Sequence, residues 1–158
     1  MFFILLEEGS SLINTQEEKV KYRVGYTTGV FDLFHIGHLN ILRQSKERCD
    51  FLIVGVCTDE LTHELKGKFP LIPFVQRVEI IKSIRCVDRV VPETSIDKLD
   101  AWKRLRYDVL FKGSDAQKRE IYRQYERELK EVGVDVIYFP YTEGISSTEI
   151  KEGLRSYV

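Results

Sequence analysis

The order of patterns along this chain predicts a single α/β domain built on a doubly wound parallel sheet. Two observations carry that expectation. From Tyr22 onward, short apolar or β-branched runs alternate with longer stretches of helical periodicity. One of those runs, Phe51–Cys57 (FLIVGVC), is apolar almost throughout, as a strand covered on both faces must be. Right-handed crossovers then place helices on both sides of the sheet. The length of 158 residues fits one domain.

The elements follow in order. Tyr22–Thr27 alternates and reads as the first strand, and Gly37–Arg48 carries Leu39, Ile41 and Leu42 at helical spacing. Phe51–Cys57 is the second strand. Phe74–Ile84 sets Phe74, Val78 and Ile81 on one helical stripe. Arg89–Val91 is a short strand that Pro92 is expected to end. Ser95 is placed to cap a helix carrying Ile96, Leu99 and Trp102. Val109–Lys112 is a fourth strand. Ala116–Val132 is a long charged helix turning Ile121, Tyr125, Leu129 and Val132 inward. Val134–Phe139 is the last strand, and Ser146 and Glu149 have capping-box spacing before a short final helix. Ligands in such folds sit beyond the carboxyl ends of the strands. The segments to inspect are therefore Thr28–Gly37, Thr58–Pro73, Gly113–Gln117 and Pro140–Ser147.

Composition narrows the function. The net charge of −1 provides no global field for nucleic acid, so a polyanion would have to be held by local cations. The three cysteines, Cys49, Cys57 and Cys86, have no CxxC spacing and suit a reducing cytoplasm. Residues 1–20 read as an extension ahead of a folded domain at 21–158. Its apolar start, Met1–Leu6, is too short to span a bilayer.

The chemistry concentrates in Gly29–His38 (GVFDLFHIGH), which follows a strand and opens a helix. His35 and His38 are three apart, so both can face one way on the first turn. Gly37 between them allows close backbone approach. A helix N-terminus offers unpaired N–H groups and a positive dipole end, and two imidazoles there make a compact donor site for phosphate oxygens. A zinc site would need further ligands, and only Asp32 is nearby. Near the other end, Gly144-Ile145-Ser146-Ser147-Thr148 opens the last helix, and its hydroxyls and free N–H groups offer a second anion site.

HxGH after a first strand resembles the signature of the nucleotidylyltransferase superfamily, which implies a Rossmann-like domain. The stretches Gly29–His35 and Val54–His63 (VGVCTDELTH) resemble the choline-phosphate cytidylyltransferases. The compact length and the ending Thr142–Thr148 (TEGISST) resemble bacterial glycerol-3-phosphate cytidylyltransferase. The resemblance runs from about Tyr22 to Leu154.

It implies a catalytic domain over 21–158 that transfers CMP from CTP to a phosphorylated alcohol, glycerol 3-phosphate or a related polyol phosphate. Choline or ethanolamine phosphate, ATP in place of CTP, and a catalytically silent module stand as alternatives. It implies His35, His38 and Lys66 as catalytic groups, Lys66 bridging the α-phosphate and the incoming phosphate. Gly29, Val30, Phe31, Gly37, Lys68, Arg85, Thr142, Gly144, Ile145, Ser146, Ser147 and Thr148 would bind the nucleotide, with Arg77 a weaker candidate. Asp32, Lys66 and Asp115 would face the acceptor. It further implies Mg²⁺ carried on the triphosphate, a homodimer, and a cytoplasmic enzyme.

Two positions depart from the pattern. Ser114 stands where the family often has an acid. Tyr141 stands where the related enzymes usually have an arginine, and a neutral phenol lacks a guanidinium's charge and fork.

Overall fold

The computed structural model describes residues 21–157, so the expectations for residues 1–20 lie outside the described residues. Five strands form one parallel sheet: β1 (Tyr22–Gly29), β2 (Cys49–Cys57), β3 (Arg89–Glu93), β4 (Val109–Gly113) and β5 (Asp135–Phe139). Their order is β3-β2-β1-β4-β5. The chain thus winds outward from β1 in one direction and then restarts on its other side.

The FLIVGVC run feeds both faces, as its lack of alternation requires. Ile53 joins Tyr26, Val91, Ala101, Tyr107 and Leu110 in one core. Its neighbours Leu52 and Val54 join Leu42, Ile81, Val109 and Phe111 in the other. The first core is roofed by α4 (Lys98–Leu105) and α6 (Glu120–Glu131), the second by α1 (Ile36–Glu47) and α3 (Phe74–Lys82). Two-sided burial of this kind contributes roughly 25 cal/mol per Å² of apolar surface removed from water.

Four local expectations are corrected. Strand β3 runs through Pro92 to Glu93. It is an edge strand bonded only to β2, so the N–H that proline lacks has no ladder partner to lose. The cap of α4 is Asp97, whose carboxylate accepts from Leu99 N at 2.9 Å and Asp100 N at 3.0 Å, while Ser95 Oγ accepts from Asp97 N. The long charged helix is two: α5 (Ser114–Gln117) and α6, broken at Lys118–Arg119. Finally, Thr58–Pro73 contains the helix α2 (Asp59–Lys66), capped by Thr58 Oγ1 and ended by Gly67 in the left-handed region, φ 68°.

Arg77 braces this upper edge of the molecule. Its side chain is fully buried, and its guanidinium donates to Ile72 O (2.8 Å), Val30 O (2.6 Å) and Cys57 O (2.8 Å) and pairs with Asp59 (2.6 Å). Two loop segments, the end of β2 and the start of α2 therefore share one cation. Arg77→Ala strands these acceptors and should cost about 3–5 kcal/mol, the scale of breaking a buried charge network. Urea unfolding of the variant against the wild-type chain measures it.

Candidate active site

The β1–β4 ladder ends at Thr27↔Phe111, while β1 stays paired with β2 as far as Gly29↔Val56. Above Thr27 the two strands part, because the chain leaves β1 toward α1 on one face and β4 toward α5 on the other. That is the switch point of the sheet, where a crevice opens. Lys112 Nζ bridges its floor to Thr28 O at 2.6 Å.

The loop over the crevice is strained. Phe31 and Leu33 sit at φ 55° and 49°, in the left-handed region that bulky residues avoid. Packing imposes it: Phe31 is buried in the core under α1, and its ring lies edge-on to His38, with centroids 5.4 Å apart. Asp32 is the tie point. Its carboxylate accepts from Leu71 N (3.0 Å) and Ile72 N (2.9 Å) and pairs with Lys151 of α7 (Ser147–Arg155) at 2.7 Å. Its carbonyl accepts from Ser147 Oγ at 2.6 Å. Burial pushes the Asp32 carboxyl up, but the lysine and the two N–H donors outweigh it and hold it below the ordinary value.

The two histidines are themselves the helix cap. His35 is the N-cap of α1, and its Nδ1 accepts from Gly37 N at 3.1 Å; His38 Nδ1 accepts from His35 N at 3.3 Å. This is a capping box made with imidazoles in place of Ser and Glu. With each Nδ1 acting as acceptor, the proton sits on Nε2, and each ring becomes a neutral donor. The rings stack with centroids 3.9 Å apart. A Cβ on Gly37 would lie 2.8 Å from His35 Cε1, so the glycine is a packing requirement. Burial, then the neighbouring His35 and Lys66, lower His38 to about 4; burial also lowers His35. Both stay uncharged at neutral pH.

Two lobes meet at these residues. The first, about 340 Å³, includes Asp32, Lys66, Lys68, Lys151, Glu152 and Arg155. The second, about 390 Å³, lies over the ends of β4 and β5 and includes His35, Lys112, Gly113, Asp115, Arg119 and Tyr141. Phe31, His38, Lys66, Ser147 and Thr148 line both. Val30 lines the first lobe, and Gly37, Thr142, Ile145 and Ser146 the second. Gly29 closes the strand beneath, its Cα facing the Phe31 ring, and Gly144 makes the turn before α7 at φ 79°. Ser146 caps α7 through Glu149 N at 3.1 Å. Lys66 is lowered from its ordinary value by burial, with Lys151 and Lys68 adding repulsion.

Three sequence expectations change. Asp32 and Asp115, both expected to face the acceptor, line different lobes, Asp32 the first and Asp115 the second. Within one chain Arg85 reaches neither lobe; it lies in a turn after α3 beside Leu39, Arg43, Lys46 and Cys86. Helix α3 runs back from the carboxyl edge of the sheet, so its end is at the opposite edge from the crevice. Arg77 is spent as a brace. Conversely, Lys151 and Arg119 were not singled out by sequence. Lys151 lies one helical turn beyond Ser147, a spacing that could have found it. Ser114 is a connector: its Oγ accepts from Tyr141 N at 3.2 Å.

A helix cap built from two histidines at the switch point of a parallel sheet, with lysines converging on it, is an arrangement suited to a nucleotidyltransferase. The match to the model described as Cytidylyltransferase-like covers residues 26–153, and the chain belongs to that family. It is 37% identical to glycerol-3-phosphate cytidylyltransferase of Staphylococcus aureus, over 81% of this chain and 92% of that one. It is 41% identical to FAD synthase of Pyrococcus horikoshii, over 79% and 83%. It is 32% identical to bifunctional protein HldE of Helicobacter hepaticus over 92% of this chain, which spans only 29% of that longer protein. Among solved structures, the lipopolysaccharide core biosynthesis protein of Thermoplasma volcanium superposes with a TM-score of 0.65 at 26% identity, over 78% of this chain and 99% of that one. No helix among the described residues is long and apolar enough to cross a membrane.

The neutral state of the half-buried His38 has a consequence for pH. Its folded value is below the ordinary 6.5, so the unfolded chain binds the proton more readily. The corresponding stability is fully present above 6.5 and is lost as pH falls toward about 4. It amounts to about 3 kcal/mol at most. Urea midpoints of the wild type should fall between pH 7 and 4.5 by more than those of His38→Gln; equal slopes would remove the assignment.

Proposed function

We propose that this enzyme transfers CMP from CTP to a phosphorylated alcohol, releasing pyrophosphate. The observation that carries the reading is the meeting of two lobes at His38, Lys66 and the N-terminus of α7. Two polyanions must come together for such a reaction, and this junction concentrates neutral donors and a cation where both lobes share a wall.

In the proposed mechanism, the nucleoside of CTP occupies the second lobe and the acceptor the first. An acceptor phosphate oxygen attacks the α-phosphorus in line; the bond to the β-phosphate oxygen breaks, and pyrophosphate leaves with the electron pair. A phosphate monoester is already an anionic nucleophile, so no general base is needed. The Nε2–H groups of His35 and His38 donate to phosphate oxygens as charge develops on the leaving group. Lys66 spans both reacting phosphates and offsets their repulsion. Ser147, Thr148 and the open N–H groups of α7 take the β- and γ-phosphates. Mg²⁺ would be carried by the triphosphate oxygens, neutralising charge there. Asp32, the carboxylate bordering the junction, already serves two backbone donors and Lys151.

Charge supports the proposed acceptor class. Lys66, Lys68, Lys151 and Arg155 face only Asp32 and Glu152 in the first lobe. That surplus suits the dianion of a polyol phosphate and disfavours the quaternary ammonium of phosphocholine, which asks for an aromatic cage. The similarity to a glycerol-3-phosphate cytidylyltransferase over nearly its whole length supports the same choice. The free thiols of Cys49, Cys57 and Cys86 support a cytoplasmic setting. A homodimer completes the proposal.

The 41% identity to an FAD synthase favours a second reading, adenylyl transfer from ATP. Phosphorus NMR of the enzyme with Mg²⁺, CTP or ATP, and glycerol 3-phosphate, a sugar phosphate or phosphocholine separates the two. A CDP-alcohol from CTP and a polyol phosphate is expected; product from ATP alone overturns the choice of nucleotide. His38→Ala should cut turnover at least about a hundredfold, the scale of one preorganised donor. Near-normal turnover in the folded variant would remove His38 from the mechanism.

A further inference from the structure

A carboxylate beside two polyanions is an electrostatic cost, so Asp32 at the edge of the junction calls for a reason. The family resemblance makes it an acceptor contact, but its surroundings leave little of it for a substrate. Asp32 is only 5% exposed. Its Oδ2 accepts from Leu71 N at 3.0 Å and from Lys151 Nζ at 2.7 Å, and its Oδ1 accepts from Ile72 N at 2.9 Å. The residues on either side, Phe31 and Leu33, are the two held in the left-handed region. Backbone strain concentrated around one saturated carboxylate is a reason to look for a role beyond packing.

The three segments that carry the phosphate ligands of the proposed mechanism meet at this residue. Its own loop runs on into His35, the cap of α1. Its carboxylate holds residues 71 and 72, where the arch that leaves α2 at Lys66 and Gly67 comes down. Its carbonyl takes Ser147 Oγ at 2.6 Å, and its Oδ2 takes Lys151, one turn further along α7. Resting on the function proposed above, we infer that Asp32 is a positioning residue that sets Lys66, the histidines and the start of α7 relative to one another. Lys151 acts through it, as a latch on α7, and not as a ligand of the acceptor phosphate. Such placement matters most in the transition state, where each donor must meet an oxygen as charge develops. Ground-state binding is shared among the groups lining both lobes. The role therefore lowers kcat and leaves KM nearly unchanged when it is lost.

The test is steady-state kinetics with CTP, Mg²⁺ and glycerol 3-phosphate for the wild-type chain, Asp32→Asn, Lys151→Met and the double variant, with urea midpoints recorded alongside. Asp32→Asn should lose about a hundredfold in kcat, the scale of a 1 Å misplacement, with KM for glycerol 3-phosphate nearly unchanged. Lys151→Met keeps the clasp on residues 71 and 72 and should lose less kcat, again at constant KM. The double variant should fall no further than Asp32→Asn, because members of one network do not add. A raised KM for glycerol 3-phosphate with kcat retained, in either single variant, makes that residue an acceptor contact and overturns the inference. Additive losses in the double variant overturn the latch. If Asp32→Asn does not fold, Lys151→Met decides: lower kcat at constant KM supports the role, and unchanged kcat or a raised KM overturns it. If the wild type forms no CDP-glycerol, the proposed function fails first, and that result is read before any variant is made.

Discussion

Strand β1 has a partner on both sides only as far as Thr27; beyond it β4 is gone and β2 remains. Everything that follows depends on that parting. The chain must leave the end of β1 for the α1 face, and it does so through a loop in which two bulky residues are forced into the left-handed region. Such strain persists only where surroundings over-determine it. Here they do, through the burial of Phe31 beneath α1, the clasp of Asp32 on the backbone of residues 71 and 72, and the grip of Ser147 and Lys151 on Asp32. The same contacts draw α7 across the crevice, so strain, crevice and the start of α7 are one construction.

The histidines gain their chemical state from the same economy. A helix start leaves backbone N–H groups in need of acceptors. Using the imidazole Nδ1 atoms for that purpose fixes the tautomer and turns both Nε2–H groups outward. Burial and the short ring separation then keep the rings neutral. A neutral donor pair does not demand a counter-ion while the site is empty, as two imidazolium groups would. It still offers two directed hydrogen bonds to an arriving phosphate, each strengthened by low local dielectric.

The fold was legible because burial on both faces writes itself plainly: Ile53 to one core, Leu52 and Val54 to the other. The histidine pair at the start of a helix and the Ser146 cap were legible because both are local spacings, but that the imidazoles themselves cap the helix was not. What escaped was non-local or masked. Helix α2 is only eight residues, sits inside a segment read as a loop, and announces itself only by Thr58 and Gly67. The role of Arg77 depends on carbonyls contributed by residues 30, 57 and 72, which no spacing along the chain can reveal. Arg85 failed to reach the crevice because helix direction, not sequence proximity, decides which edge of the sheet a residue serves. Pro92 misled because its effect depends on whether β3 is an edge, and that is a property of the whole sheet.

Tyr141 concentrates the difference between pattern and structure. By sequence it leaves the triphosphate one cation short. In three dimensions the cations of the site are distributed by lobe: Lys68, Lys151 and Arg155 on one side, Lys112 and Arg119 on the other, and Lys66 on the wall they share. A charge lost at one wall of a crevice need not be replaced at that wall, because the potential inside is a sum over its lining. A directed fork, however, is not interchangeable with a sum. Tyr141 is half exposed and its backbone N–H is held by Ser114, so that position now shapes the loop rather than gripping a phosphate. Under the proposed function, attraction for charge belongs to the whole junction, and directed donation to the histidines and the start of α7.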